Sequence, residues 1–207
     1  MSFTLWFMGR PAAGKSTIAK RVENSLRESG YQMENLDGDE VRQNLHPDLG
    51  FSREDRELNN RRTAYLCRLL NRNGISVVTG MITPFRDAQQ KAREIVEEDG
   101  TFVLIYVKCS VEECEKRDPK DLYEKAKAGK IDKFTGINHP FEEPHNPDIL
   151  VDTEKLSVDE SVEQVIGELR ELGVLDEEPE TDYSFDITRR EEEEIKESLR
   201  DMGYIDD

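Results

Sequence analysis

The feature that most constrains how this chain can fold is the stretch GRPAAGKST from Gly9 to Thr17, which fits the phosphate-loop pattern GxxxxGK[ST]. An apolar run from Phe3 to Met8 precedes it, and apolar residues recur at helical spacing after it. Glycines let the backbone amides of such a loop face one point, where the helix N-terminus adds positive potential. The stretch therefore predicts a strand, a loop and a helix that together bind the phosphates of a nucleoside triphosphate.

Individual side chains near this loop have distinct expected contacts. Lys15 would reach the β- and γ-phosphates, the Ser16 hydroxyl would be a ligand of Mg²⁺, and Thr17 would tie the loop to its helix. The acids Asp37 and Asp39 stand where a second strand would turn. Because the strand ends of an open α/β sheet point towards the ligand crevice, we expect these acids close to the phosphates.

Composition excludes several classes of protein. With 207 residues and 35% hydrophobic content, the chain is expected to form a single catalytic domain. No stretch approaches the roughly 18 apolar residues of a membrane span, and no basic leader precedes the first strand, so we expect a soluble, cytoplasmic protein without membrane contacts. The chain has three cysteines, an odd number, at Cys67, Cys109 and Cys114. They form no CxxC pair, and we interpret them as buried thiols. A net charge of -17 argues against nucleic-acid binding, which requires a basic surface.

Hydrophobic periodicity and helix caps predict five strands that alternate with helices. Capping pairs begin three of the helices, namely Ser52 with Asp55, Ser110 with Glu113, and Ser157 with Glu160. The strands are predicted at 3–8, 31–36, 75–79, 101–107 and 149–151. Such alternation indicates an α/β fold with an open parallel sheet and right-handed crossovers.

Two segments differ from the rest in composition. Residues 118–147 are rich in lysine and proline and too long for an ordinary connection, so we predict a lid that is mobile without ligand. Residues 176–207 carry -10 of the net charge, with a linker over 176–186 and a capped helix over 188–202. That helix either docks on a surface through its narrow apolar stripe or only solubilises the chain. The predicted domains are therefore 1–175 and 176–207.

Several further blocks accompany the phosphate loop. They are DGDEVR at 37–42, LGFS at 49–52, DRELNNRR at 55–62, ITPFR at 82–86, RDPK at 117–120, AKAG at 126–129 and FTGI at 134–137. Together they make residues 4–172 resemble the adenylylsulfate kinases. The resemblance implies a P-loop NTPase fold with three α/β/α layers. It also implies transfer of the ATP γ-phosphate to the 3′-hydroxyl of adenosine 5′-phosphosulfate (APS), which forms the sulfate donor PAPS in sulfate assimilation.

The resemblance further implies contacts with the acceptor APS. Cations would hold its phosphosulfate or ribose, aromatic rings would sandwich its adenine, and an amide would be a polar contact. The implied cations are Arg42, Arg56 and Lys120, the rings are Phe51 and Phe134, and the amide is Asn59. The remaining acceptor contacts would come from Asp39, Glu40, Val41, Ile82, Thr83 and Lys133.

Contacts with ATP and Mg²⁺ are implied in the same way. The phosphates would lie against Gly9, Ala12, Ala13, Gly14, Lys15, Ser16 and Thr17, and the adenine would be flanked by Arg117 and Leu156. The metal would be held by Ser16 and Asp37, and the catalytic set would be Lys15, Asp37, Asp39 and Thr83.

The two acids admit two interpretations. Phosphoryl transfer needs an acid near the acceptor hydroxyl or a metal-bound water, and we favour Asp39 for that role with Asp37 as its support. The alternative is that both acids only shape a turn.

The chain departs from the family pattern in three places, one of which is a pair of residues. Thr83 replaces a serine long associated with phosphate, and we interpret it as a pocket residue because in-line transfer needs no covalent intermediate. Arg10 and Pro11 replace a Leu-Ser pair in the loop, which proline would stiffen. Asp121 replaces a glycine and puts the lid hinge in question.

Simpler interpretations compete with these roles. Arg61 and Arg62 are interpreted as solvated charges, while Phe51 could belong to the core and Phe134 could anchor the lid. The competing functions are a P-loop kinase for another nucleotide or a sugar acid, and a non-catalytic regulatory subunit. The phenylalanine pair argues against the first, and the retained lysine and acids argue against the second. A homodimer and coupling to ATP sulfurylase are the further options for partners.

Overall fold

The computed structural model describes residues 2–176, and a sheet of five parallel strands lies at its centre. The strands are β1 (Phe3–Met8), β2 (Met33–Asp37), β3 (Ser76–Met81), β4 (Thr101–Lys108) and β5 (Ile149–Asp152). Their order is β2-β3-β1-β4-β5, so β1 is central and every neighbouring pair is parallel. The open parallel sheet that the sequence predicts is therefore confirmed.

Seven helices connect or follow these strands in the described residues. They are α1 (Lys15–Glu28), α2 (Gly38–Asn44), α3 (Arg53–Arg72), α4 (Arg86–Val96), α5 (Val111–Arg117), α6 (Leu122–Lys127) and α7 (Val158–Glu171). Three of them begin at the predicted serine caps, because the hydroxyls of Ser52, Ser110 and Ser157 each accept from the backbone amide three residues later.

The alternating side chains of β1 explain why the sheet is covered on both faces. Phe3, Leu5 and Phe7 belong to one buried cluster, which also contains the apolar faces of α1 and α7. Trp6 and Met8 belong to a second cluster with residues of α3 and α4. Since successive side chains of a strand point to opposite faces, the two clusters lie on opposite sides of the sheet. The result is the three-layer α/β/α arrangement that the sequence predicts.

Two short helices were not predicted, and aspartates account for both. At the predicted turn after β2, the Asp37 carboxylate accepts from the amides of Asp39 and Glu40 at 2.9 and 3.2 Å and starts α2. Within the predicted lid, the Asp118 carboxylate accepts from three backbone amides at the beginning of α6, at 2.8 to 3.2 Å. In each case the carboxylate satisfies amides that a helix start leaves without partners.

Residues 118–147 pack against the domain along part of their length. Four of their side chains are buried, namely those of Tyr123, Ala126, Phe134 and Thr135. The first three belong to the same buried cluster as the apolar faces of α1 and α7. This packing gives the lid segment its own contacts with the core, and its mobility without ligand stays a prediction. The three cysteines are free and buried, as expected.

Two further points concern membrane-spanning helices and the residues after 176. Within residues 2–176, none of the helices combines the length and the apolar character that crossing a membrane requires. The predicted linker from residue 177 onward and the predicted helix over 188–202 lie outside the described residues.

Candidate active site

The phosphate loop connects β1 to α1 and packs tightly against β4. Gly9 has φ 155°, and a Cβ atom added there would lie 2.4 Å from the carbonyl oxygen of Val107. Gly14 has φ 99° directly before α1. Both positions therefore need glycine, one for close approach and the other for a left-handed backbone. Ala13 is buried between them, whereas the side chain of Thr17 is exposed and faces solvent.

Lys15 is buried inside this loop. It is 9% exposed, and its Nζ donates to the carbonyl oxygen of Arg10 at 2.7 Å. Burial lowers the pKa of Lys15 to about 8, although nearby Asp39 and Asp37 act in the opposite direction. The loop thus holds an ammonium group that water solvates poorly and that an anionic phosphate would stabilise.

Two oxygen ligands of the kind that Mg²⁺ prefers converge beside the loop. The Ser16 hydroxyl lies 3.3 Å from Oδ2 of Asp37, whose Oδ1 accepts from the first amides of α2. The cap therefore fixes the direction of the carboxylate. The described residues contain no group of three or more His, Cys, Asp or Glu side chains that could hold a metal ion. A hydroxyl and one carboxylate fit a Mg²⁺ that takes its remaining ligands from phosphates and water.

The end of β3 and the start of α2 complete this side of the crevice. A Cβ at Gly80 would lie 3.7 Å from Ser16 Oγ, and one at Gly38 would lie 2.6 Å from the carbonyl oxygen of Gly80. The strand end, the helix start and the phosphate loop therefore meet closely, as expected where parallel strands end.

An ion pair joins the lid to the second predicted acid. Nζ of Lys120 lies 2.6 Å from Oδ2 of Asp39, and both side chains are well exposed. The Asp39 carboxylate raises the pKa of Lys120. Exposed ion pairs stabilise proteins little, so this contact is easily exchanged for contacts with a ligand.

Two arginines surround an exposed aromatic ring. The guanidinium carbons of Arg42 and Arg56 lie 4.4 and 5.5 Å from the centroid of Phe51, which is 56% exposed. Arg42 donates to the carbonyl oxygens of Leu49 and Gly50. Arg56 donates to those of Phe51 and Lys133 at 3.2 and 2.7 Å.

Neither arginine is neutralised by an ion pair among the described residues, since both donate only to carbonyl oxygens. Burial lowers the pKa of the Arg56 guanidinium, and the positive charge of Arg42 lowers it further. Burial also lowers the pKa of Arg42, although the nearby Asp55 and Asp39 carboxylates act in the opposite direction. Two cations held together with no ion pair among the described residues are suited to an anionic ligand, in an otherwise acidic chain.

The side chains of Phe134 and Asn59 are more buried than the predicted contacts with the adenine of APS would require. Phe134 is 8% exposed and packs edge-on against Tyr123, with centroids 4.9 Å apart. Asn59 is 5% exposed, and its Oδ1 lies 2.8 Å from Nδ1 of His46. Phe134 therefore anchors the lid in this conformation, and Asn59 bonds a buried histidine that sequence reasoning missed.

The Thr83 hydroxyl is occupied within the core. Thr83 is 1% exposed, and its Oγ1 accepts from Nε1 of Trp6 at 2.9 Å. Its φ of 42° is unusual for a β-branched residue. The Gln89 amide also holds its carbonyl oxygen at 3.2 Å. In this conformation both the hydroxyl and the carbonyl oxygen of Thr83 support the loop after β3, and the residue is inaccessible to a ligand.

Sequence reasoning missed Thr153, which connects Arg117 to the phosphate loop. Its hydroxyl donates to the carbonyl oxygen of Ala13 at 3.1 Å and accepts from Arg117, whose second nitrogen donates to the Thr153 carbonyl at 2.7 Å. Leu156 is half-buried nearby in sequence and packs against the core. The position of Thr153 directly after β5 was the available signal, because ligands bind at such strand ends.

The Arg10 side chain ties the loop to the end of the lid. It donates to the carbonyl oxygen of Cys109 and to Glu143, both at 3.1 Å, and lies 4.6 Å from the centroid of Phe141. Arg10 also lines a cavity of about 440 Å³, together with Val111, Gly136, Ile137, Asn138, His139, Pro140 and Phe141. That cavity does not include the lysine, acids or exposed ring of the candidate site.

The remaining predicted site residues differ in exposure. Glu40 is exposed, Val41 is 4% exposed, Ile82 is half-buried, and Lys133 is exposed with φ 58°. Of the arginines interpreted as solvated, Arg61 is exposed and Arg62 pairs with Asp48 at 2.9 Å.

Comparison with known proteins points to one family. A family model described as adenylylsulphate kinase matches residues 1–152. The adenylyl-sulfate kinase of Halothermothrix orenii is 49% identical over 172 residues, which are 83% of this chain and 91% of that protein.

Solved structures agree with the sequence comparison. The APS kinase of Mycobacterium tuberculosis, in complex with AMPPNP and APS, has a TM-score of 0.79 at 39% identity, covering 82% of this chain and 98% of that one. A hexameric APS kinase from Thiobacillus denitrificans has a TM-score of 0.66 at 30% identity, covering 84% of this chain and 30% of that one.

Proposed function

The chain belongs to the adenylylsulfate kinase family, and we propose that it transfers the γ-phosphate of ATP to the 3′-hydroxyl of APS to form PAPS. The observation that carries this proposal is the pairing of a phosphate loop with a separate anion site. Lys15 lies in the phosphate loop, and Arg42 and Arg56 lie against the exposed ring of Phe51. The Asp39 carboxylate is close enough to act on the pKa of both Lys15 and Arg42. A reaction between two anionic nucleotides needs both groups of cations.

On the donor side, the loop amides and Lys15 would bind the ATP phosphates. Ser16 and Asp37 would hold Mg²⁺, which supplies positive charge next to the phosphates when bound. Arg117, held by Thr153 beside Ala13, would lie against the donor adenine with Leu156.

On the acceptor side, Arg42 and Arg56 would bind the phosphosulfate, and Phe51 offers an exposed face for adenine stacking. Phe134 lies at the lid next to Lys133, whose carbonyl oxygen Arg56 holds. Ile82 would contact the acceptor through its backbone, and Lys133 through its backbone or its exposed side chain. A contact of Thr83 with the acceptor would require the loop after β3 to move, because Thr83 is 1% exposed. Glu40 and Val41 line the start of α2 beside Asp39.

The acid nearest the acceptor hydroxyl would be Asp39. Its carboxylate is exposed and pairs with Lys120, so it can exchange that contact for a hydroxyl proton while the lysine moves to the ribose or phosphosulfate. Asp37 is directed by its cap towards Ser16 and would serve the metal instead. Transfer is then direct, and the chain contributes positioning and charge stabilisation.

Assembly and cellular context extend this proposal. The hexameric APS kinase among the relatives supports an oligomer, of which a homodimer is the smallest form. Coupling to ATP sulfurylase would supply APS directly. A cytoplasmic location would give the enzyme access to ATP.

The test is ATP consumption measured with and without APS in the presence of Mg²⁺. We expect turnover only with APS, and PAPS as the product. Lys15→Ala is the negative control, because removal of this cation costs several kcal/mol of transition-state stabilisation. Turnover with another nucleotide or a sugar acid instead of APS would indicate a different P-loop kinase, and ATP binding without turnover would indicate a regulatory subunit.

A further inference from the structure

One buried side chain of the lid contacts both the phosphate loop and Phe134. Tyr123 of α6 is 2% exposed, and its hydroxyl donates to the carbonyl oxygen of Pro11 at 2.9 Å. The opposite contact is with Phe134, whose ring packs edge-on against it at 81° with centroids 4.9 Å apart. Tyr123 therefore connects a loop that binds ATP phosphates to an aromatic residue proposed for the acceptor.

The contact with Pro11 lies at a sensitive part of the loop. The neighbouring carbonyl, that of Arg10, accepts from Nζ of Lys15. The following residue, Ala12, has a left-handed backbone with φ 62°. Because proline has no N–H, its carbonyl is the only backbone group at this position that can be held by a hydrogen bond. The Tyr123 hydroxyl thus fixes the peptide that separates the lysine's partner from the phosphate-facing amides.

Another residue of the lid, Asp118, fixes the position of Tyr123. The Asp118 carboxylate accepts from the amide of Tyr123 at 2.9 Å and from those of both neighbours, so the first turn of α6 is held to the end of α5. Between Asp118 and the start of α6, Lys120 forms an ion pair with Asp39. A change in how the lid packs would therefore move the tyrosine and its bond to the loop together.

We propose that Tyr123 is a positioning residue that couples the two substrate sites. An acceptor bound against Phe134 holds the lid in place, and the Tyr123 hydroxyl then holds the phosphate loop in the conformation that binds nucleotide. Coupling is reciprocal, so nucleotide in the loop equally favours the acceptor. This inference rests on the proposed function, because it requires APS to be the ligand at Phe134.

The experiment compares wild type with Tyr123→Phe, which removes one oxygen atom and adds no volume. The affinity for ADP is measured by calorimetry without APS and at saturating APS, and the ratio of the two dissociation constants reports the coupling. We expect a ratio well above one for wild type. Since one hydrogen bond contributes about 0.5–1.5 kcal/mol, we expect the ratio to fall roughly 3- to 10-fold in Tyr123→Phe.

The matched control is Tyr65→Phe, which removes a hydroxyl from a side chain of α3 that is 51% exposed. Its ratio should equal that of wild type. A merely structural role for Tyr123 would lower the melting temperature and leave the ratio unchanged. An unchanged ratio in Tyr123→Phe, or a ratio of one in wild type, would overturn the inference. Failure of the proposed function would appear separately, as wild-type protein that does not phosphorylate APS.

Discussion

At the scale of single residues, Lys15 combines burial with a positive charge. Its pKa is lowered to about 8 because water is excluded, and among the described residues its Nζ donates a hydrogen bond to the carbonyl oxygen of Arg10. In the free protein it therefore loses its proton as the pH rises through about 8. Bound phosphate favours the charged form and raises this pKa. Binding of ADP near pH 8.5 should then add a proton to Lys15, whereas at pH 6.5 Lys15 is already protonated and should take up none.

Calorimetry in two buffers with different protonation enthalpies measures this uptake. The apparent binding enthalpy of wild type at pH 8.5 should differ between the buffers. Lys15→Met removes the titrating group and keeps much of its volume, so its enthalpy at pH 8.5 should not depend on the buffer. At pH 6.5 the terminal phosphate of ADP itself exchanges protons, and the buffer dependence should be the same for wild type and Lys15→Met. Equal enthalpies for wild type at pH 8.5 would mean that Lys15 is already fully protonated in the free loop.

Arg56 and Phe51 belong to the proposed acceptor site. Arg56→Ala removes a buried cation without an ion-pair partner in the described residues, and Phe51→Ala removes an exposed stacking face. Each should weaken APS binding roughly 10- to 100-fold, because a charge-assisted contact of about 1.5–3 kcal/mol or a base-stacking contact of about 1–3 kcal/mol is lost. The affinity for ATP should stay near that of wild type.

The control for the arginine is Arg61→Ala, which removes an exposed arginine from the same helix. It should bind APS normally. Normal APS binding by both Arg56→Ala and Phe51→Ala would show that the acceptor lies elsewhere.

Thr83 is a third residue whose role can be separated into parts. Thr83→Val removes the acceptor of the buried Trp6 indole N–H and should cost about 1–3 kcal/mol in the free energy of unfolding. Thr83→Ser keeps the oxygen and loses the β-branch at a residue with φ 42°, so its stability should equal or exceed that of wild type. Urea unfolding of the three proteins measures this. Equal stability of the valine and serine variants would contradict the structural role of the hydroxyl.

At the scale of elements, the lid has two kinds of contact with different expected stabilities. Tyr123 and Phe134 are buried, whereas Lys120 and Asp39 form an exposed ion pair. Exposed contacts open locally at a low cost in free energy, whereas buried contacts open less often. We therefore expect residues 118–147 to exchange amide hydrogens faster than the sheet in the free protein, with the slowest amides of the segment next to Tyr123 and Phe134.

Hydrogen exchange followed by mass spectrometry tests this expectation. Addition of ADP and APS together should slow exchange over residues 118–147, because the lid is predicted to close over both nucleotides. The amides of α7 should serve as an internal control and remain unchanged. This helix packs together with α1 against one face of the sheet. Slow exchange in the free protein that ligands leave unaltered would indicate a rigid surface segment.

At the scale of the whole molecule, the charge is unevenly distributed. Residues 176–207 carry -10 of the net charge of -17, and no family block of the sequence extends past residue 172. The proposed site lies entirely within residues 9–156. A protein truncated after Leu175 should therefore retain full kinase activity.

The same truncation distinguishes the two interpretations of the tail. A docked tail predicts a change in melting temperature or in oligomeric mass on truncation, whereas a solubilising tail predicts neither. Both can be measured on the two purified proteins by thermal unfolding and light scattering. Loss of activity after truncation would mean that the domain boundary at residue 175 is misplaced.

Much of the fold was accessible from sequence because its signals are local. The phosphate loop, the serine caps and the alternation of β1 each depend on residues a few positions apart, and they predicted the parallel sheet and most helix starts correctly. The helices α2 and α6 were missed because aspartates that also suit turns start them, and propensity does not separate the two uses. The family resemblance named the candidate site residues but not their contacts.

Those contacts were determined by tertiary structure, because they join residues far apart in the chain. Only the folded chain shows that Thr83 bonds Trp6 in the core, that Arg56 holds the Lys133 carbonyl and that Tyr123 reaches Pro11. Burial is likewise a property of the packed molecule, so the lowered pKa of Lys15 follows from water exclusion by distant segments. The sequence by itself determined which chemical groups are present and where strands and loops begin, whereas packing determined which of those groups remain free for substrates.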